Sequence, residues 1–248
     1  MSFFEQWSRE KRDSFIASCW EKQPARFSSV DSGPIVTLGE LFQIITQQSA
    51  RRADDRLWIA RRNPPRSHKD FILGSLDILG PQKRDINFEQ YFRRMAHYNT
   101  GVNIHSLEDK LPELTHRIAS LKRILTQVDG APVAQRWDTD TFFGTYPVSP
   151  LGIHKDTASV FSFALMGKRT YYMWPSDYFQ KGDEALFTPD PEKIEPHLKY
   201  AEQFVMQAGD VIYWPSNRWH VILSDGQPSV VAQVSAYFRP KDLPHWNR

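Results

Sequence analysis

With 248 residues, 40% hydrophobic and 24% charged, and a formal net charge of +2, the chain has the composition of one globular domain. These values argue against a disordered chain and against a nucleic-acid binder, and no run of about 18 apolar residues offers a membrane span. Cys19 is the only cysteine, which excludes an internal disulfide framework and a cysteine zinc site; with no signal-peptide pattern at Met1–Trp7, a cytoplasmic location is expected.

In chain order, Phe4, Trp7, Phe15, Ile16 and Trp20 recur at helical spacing until Pro24, predicting a helix that leads into a strand. Thr37 is a candidate N-cap for a second helix over residues 37–50, with Leu38, Leu41, Phe42, Ile44 and Ile45 as its apolar face. The stretch Arg61–Lys69, with Pro64-Pro65, reads as loop. A third helix is predicted over Asn87–Tyr98, and a fourth over Ser106–Gln127, where Leu107, Leu111, Leu114, Ile118, Leu121, Ile124 and Leu125 form a stripe ended by Asp129-Gly130.

After residue 130 the pattern changes to short apolar or alternating runs separated by Gly, Pro and Asp. They are Val133–Trp137, Thr141–Tyr146, Val160–Leu165, Thr170–Trp174, Gln203–Met206, Val211–Trp214 and Val230–Phe238. That is the signature of an antiparallel sandwich or barrel. The expected fold is therefore a single α+β domain spanning 1–248, mainly β. Its helix-rich part is about 1–130, and its barrel core about 131–248.

Within the β-rich half, His154-Lys155-Asp156 places an imidazole and a carboxylate two residues apart, on one face if the segment is a strand. A third ligand must come from another strand. His220, which follows the Gly209-Asp210 turn and Pro215, is the candidate. Two imidazoles and one carboxylate leave positions open on an octahedral ion, which suits Fe(II) binding a 2-oxo acid and dioxygen. Alone, a His-x-Asp is more often a surface ion pair or a turn cap than a ligand pair, and a lone histidine such as His220 more often an ordinary partly buried one.

The flanking residues carry more weight. Gly144-Thr145-Tyr146, His154-Lys155-Asp156 and the run Ser159 to Pro175 resemble the first cupin motif of the Jumonji-C (JmjC) oxygenases. Gly209-Asp210-Val211-Ile212-Tyr213-Trp214-Pro215 with Trp219-His220 resembles the second. Trp20-Glu21-Lys22-Gln23-Pro24 is similar to the segment that opens the small hydroxylase branch. The resemblance implies a double-stranded β-helix (cupin, or jelly-roll) flanked by helices, with Fe(II) on His154, Asp156 and His220. It also implies 2-oxoglutarate and O2 as co-substrates.

By the same resemblance Arg169, just past Gly167, is expected to hold the distal carboxylate of 2-oxoglutarate through two parallel hydrogen bonds, while Lys168 faces solvent. Tyr146, Thr145, Ser235 and Tyr237 are candidate hydroxyl partners. The expected reaction is hydroxylation of a peptide, a protein side chain or an amino-acid-derived metabolite, with release of succinate and CO2. The alternatives are lysine demethylation, or a metal-dependent cupin enzyme or binding module that does not use 2-oxoglutarate. Trp137, Trp174, Trp214 and Trp219 are candidates for either pocket or barrel packing, and Arg61, Arg62 and Arg66 for a lid. No nucleic-acid or membrane partner is expected, and the oligomeric state is left open, a homodimer included.

Overall fold

The computed structural model describes residues 7–28, 34–47, 55–61, 65–74, 79–126, 132–180 and 188–238. The expected stop at Asp129-Gly130, together with Arg62 and Pro64, lies outside them.

Helix α1 (Arg9–Ser18) starts at Ser8, whose hydroxyl accepts from the Lys11 amide at 3.1 Å. Helix α2 (Leu38–Thr46) carries the capping box that Thr37 predicted: Thr37 Oγ1 accepts from the Glu40 amide at 3.1 Å, and Glu40 Oε2 accepts from the Thr37 amide at 2.8 Å. Helix α3 (Phe88–Met95), capped by Asn87, passes into a 3-10 turn over Ala96–Tyr98. The long fourth helix divides into α4 (Leu107–Lys110) and α5 (Pro112–Thr126). Leu111, at φ −137° and ψ 87°, leaves the helical region because the ring of Pro112 disfavours helical geometry in the residue before it. The last helix is α6 (Pro191–Leu198).

Strands β1 (Ala25–Phe27), β2 (Arg56–Ala60), β3 (Phe71–Gly74) and β4 (Thr100–Ile104) come from the N-terminal half. The other half supplies β5 (Arg136–Gly144), β6 (His154–Lys155), β7 (Ser159–Met166), β8 (Lys168–Trp174), β9 (Glu202–Gln207), β10 (Val211–Trp214), β11 (Trp219–Leu223) and β12 (Ser229–Tyr237). They form an eight-stranded antiparallel sheet ordered β1-β10-β7-β12-β5-β4-β2-β3 and a four-stranded sheet ordered β6-β11-β8-β9.

The expected helical half is thus mixed: β2, β3 and β4 extend the large sheet beyond β5. Two expected runs, Val133–Trp137 and Thr141–Tyr146, merge into the single strand β5. Between Arg61 and Lys69 the expected loop gives way at His68 to a one-turn 3-10 helix.

Helices pack on the outer face of the large sheet, where Phe143 meets Phe88 and Phe92 at ring-centroid distances of 5.3 and 5.6 Å. The inner faces of the two sheets enclose a second cluster containing Tyr171, Met173, Ile212, Trp214, Ile222 and Val231. A third cluster, with Trp174, Trp219 and Ile194, lies between the small sheet and α6. This is a jelly-roll whose interior is reached by alternate residues of each strand.

Candidate metal centre and anion pocket

His154 and His220 are directly opposed in the β6–β11 register, and both point into the barrel. Their rings lie 4.2 Å apart, and the Asp156 carboxylate stands 3.9 Å from His154 Nε2 and 3.6 Å from His220 Nε2. One ligand atom from each residue falls within 4.8 Å of the others. The structure therefore brings together the three groups that the sequence singled out.

The imidazoles are oriented from behind. His154 Nδ1 sits 3.0 Å from the carbonyl of Gly152, and His220 Nδ1 sits 3.0 Å from that of Arg218. A carbonyl only accepts, so each Nδ1 carries the proton and each Nε2 keeps its lone pair for a metal. Burial, with the neighbouring His154 as a second cause, pulls His220 down to about 4. It is neutral at neutral pH, the form a metal needs.

Gly152 makes this arrangement possible. Its φ is +62°, and a Cβ there would lie 2.4 Å from the carbonyl carbon of Thr188. Gly152→Ala is expected to cost about 1–3 kcal/mol through backbone strain. Because the displaced carbonyl is the one that orients His154, metal affinity should fall as well. Thermal unfolding with and without divalent metal checks this, and an unchanged metal-dependent shift would refute the orienting role.

Arg169 is buried at 2% exposure and projects inward from β8, immediately after the tight turn at Gly167, whose φ is +76°. Its Nε donates to Ser229 Oγ at 2.9 Å, and its Nη2 donates to the carbonyls of Phe142 at 3.0 Å and Ser229 at 3.1 Å. Its Nη1 has no hydrogen-bond partner. The guanidinium lies 5.4 Å from the centre of the Tyr146 ring. Lys168, its neighbour, is exposed.

A cavity of about 80 Å³ is lined by Arg169, Tyr146, Gln233 and Trp214 as well as by all three candidate ligands. Trp214 Nε1 is also buried without a partner, and its ring lies 5.2 Å from that of His220. Two donors left unpaired in one interior space are costly unless an acceptor enters it.

The remaining hydroxyls divide. Tyr146 lines the cavity. Thr145 is buried with its Oγ1 unpartnered but does not line it. Ser235 is buried outside it, on the same face of β12 as Gln233. The anchor end of β12 is marked by Ser229, and six residues of strand, roughly 20 Å, separate Ser235 from it. Tyr237 lies further still, so Ser235 and Tyr237 are corrected as partners of the anchor.

In their place the structure offers Tyr171, whose hydroxyl pairs with Ser162 Oγ at 3.0 Å inside the barrel. Tyr171 follows Arg169 by two residues on one strand, a signal readable from the alternation. Trp214 and the unanticipated Trp58 of β2 line the cavity, whereas Trp137, Trp174 and Trp219 pack in the outer clusters. Arg66 pairs with Glu192, and His68 Nδ1 lies 3.2 Å from the carbonyl of Pro150, which lines the cavity.

A double-stranded β-helix with two imidazoles and a carboxylate facing its interior defines the cupin class. The family model of the JmjC domain matches residues 122–242. No curated protein sequence matches the chain.

Among solved structures, an X-ray structure of E. coli YcfD aligns with TM-score 0.57 at 17% identity, over 95% of this chain and 53% of that one. YcfD described as a ribosomal oxygenase from Escherichia coli, in complex with cobalt and 2-oxoglutarate, aligns with TM-score 0.54 at 15% identity, over 95% and 52%. The same protein with cobalt and succinic acid gives 0.51 at 14% identity, over 95% and 52%. These likenesses show the fold. The chain spans about half the length of the structures it matches.

Proposed function

We propose that the chain is an Fe(II)- and 2-oxoglutarate-dependent oxygenase that hydroxylates a protein side chain. The observation that carries this reading is the buried, unpaired Nη1 of Arg169 in the same cavity as His154, Asp156 and His220. A neutral interior ligand would leave that charge uncompensated, whereas a dicarboxylate that reaches both the metal and Arg169 supplies the acceptor. YcfD, described with cobalt and 2-oxoglutarate and as a ribosomal oxygenase, supports both the co-substrate and a protein as substrate.

Fe(II) held there supplies the coupling of 2-oxoglutarate decarboxylation to oxygen insertion: substrate C–H, O2 and 2-oxoglutarate give C–OH, succinate and CO2. The chain's own residues bind and orient. His154, Asp156 and His220 would hold the ion, and three protein ligands would leave it open positions for co-substrates. Arg169, stacked on Tyr146 and fixed by Ser229, fixes the distal carboxylate. Trp214, Phe142 and Ile222 exclude water from the cavity. Because no proton transfer to a side chain is required, the cycle assigns no role to the buried His105, which pairs with Asp140 at 2.9 Å.

The test is incubation of the chain with Fe(II), ascorbate, 2-oxoglutarate and protein extracts. Succinate formation and a mass gain of one oxygen on a protein residue are expected. Formaldehyde release from methylated lysine peptides would instead identify a demethylase, and failure to bind or consume 2-oxoglutarate would overturn the oxygenase reading. No described helix is long and apolar enough to cross a membrane, which is compatible with a cytoplasmic site of action.

A further inference from the structure

We propose that Glu21 is a positioning residue for the metal centre, bracing the two chain segments that carry its ligands. The inference rests on the reading of His154, Asp156 and His220 as that centre.

Glu21 sits between α1 and β1, far in sequence from any ligand, and its backbone φ is +56°, a region that L residues with long side chains rarely enter. Such a conformation persists where surrounding contacts fix it. The Glu21 amide donates to the Tyr213 hydroxyl at 2.8 Å, so the turn is tied to β10. One carboxylate oxygen accepts from Ser159 Oγ and the other from Ser216 Oγ, the latter at 2.7 Å.

These two serines are the point. Ser159 opens β7, three residues after Asp156, and Ser216 lies in the turn before β11, four residues ahead of His220. They are also joined to each other, because the Ser216 amide donates to Ser159 Oγ at 2.9 Å. The next amide, Asn217, donates to the backbone carbonyl of Asp156 at 2.7 Å. Asn217 also has a positive φ of 60°. A continuous set of hydrogen bonds therefore runs from the Glu21 carboxylate, through two hydroxyls and one turn, to the backbone of the candidate ligand.

The chemistry suits a carboxylate. It has two acceptor oxygens and can take both hydroxyl protons at once, which leaves Ser159 Oγ its lone pairs for the Ser216 amide. Removing it strands a fully buried Ser159 hydroxyl and frees the 215–217 turn. Asp156 itself is only half-buried, so its placement depends on that turn more than on packing around its side chain.

The test uses the full chain and the metal alone. Affinity for Co(II) or Mn(II) is measured for wild type, Glu21→Ala, Glu21→Gln and Ser216→Ala. The visible Co(II) spectrum reports ligand geometry, and circular dichroism with metal-free melting reports the fold. Glu21→Ala is expected to weaken metal binding by about 10–100-fold, the usual effect of losing a ligand's supporting partner, and to alter the Co(II) spectrum. Glu21→Gln, which keeps one acceptor, should recover most of the affinity.

A folded Glu21→Ala protein with wild-type metal affinity and spectrum, even one that melts earlier, would overturn the proposal and leave Glu21 as an anchor of the N-terminal segment. If Glu21→Ala does not fold, Ser216→Ala decides: weakened metal binding supports the bracing, and unchanged binding overturns it. A wild-type chain that binds no metal would instead remove the metal centre itself, and the bracing with it.

Discussion

Asp156→Ala is expected to reduce divalent-metal affinity by more than about a hundredfold, beyond the roughly 10–100-fold typical of losing a ligand's supporting partner. Metal-free stability should hardly change. The carboxylate side chain is 38% exposed, and its neighbour His220 is neutral because burial pulls it down to about 4. With His220 neutral its 3.6 Å contact is not an ion pair, and a half-exposed pair such as that of Asp156 with His154 at 3.9 Å contributes only about 0–1 kcal/mol. The decisive comparison is calorimetric titration with Mn(II) beside metal-free melting. Should the variant melt far earlier while binding metal as before, the trio is a structural cluster and the centre is elsewhere.

Arg169→Lys is expected to weaken 2-oxoglutarate binding by roughly 10–100-fold while metal affinity stays within about twofold. The structure sharpens the expected contact. Nε and Nη2 are already committed to Ser229 and to the Phe142 carbonyl, so the anion is offered Nη1 rather than a free two-pronged fork. One charge-assisted hydrogen bond contributes about 1.5–3 kcal/mol, which is about one to two powers of ten in affinity. A lysine keeps the charge but cannot hold Ser229 and reach the cavity together. The readout is the thermal shift that 2-oxoglutarate produces in metal-loaded protein. Equal loss of metal and 2-oxoglutarate binding would mean that the two sites are not the separate devices described above.

Much of the candidate site could be read in the sequence because its parts are local. His154 and Asp156 are two residues apart, at and just past the end of β6, His220 follows a recognisable turn, and Arg169 follows the Gly167 reversal. What could not be read depends on pairing between distant segments. That Ser229 grips Arg169, and that Ser235 lies at the wrong end of its strand, follow only from the β12 register against β5 and β7. Alternation alone places both serines on strands without saying which end holds the anchor.

The same holds for the fold. Strands β2 and β3 are short and half-exposed, so their period-two signal is weak, and they become strands by pairing with β4 on the edge of an existing sheet. The break at Leu111 could have been foreseen from Pro112, but the leucine stripe outweighed it. The start of helix α2 was legible to the residue because Thr37 and Glu40 form a cap that needs no distant partner, whereas its end at Thr46 falls short of the expected residue 50.

The opposed pairing of His154 with His220 makes the metal centre a gauge of strand alignment. A slip of one residue in β11 would turn His220 toward α6, and Trp219 and Val221 into the barrel, exchanging the two faces at a stroke. A misaligned chain therefore loses its metal ligand and its packing together, and metal uptake by freshly refolded protein counts the molecules whose sheets have closed in register.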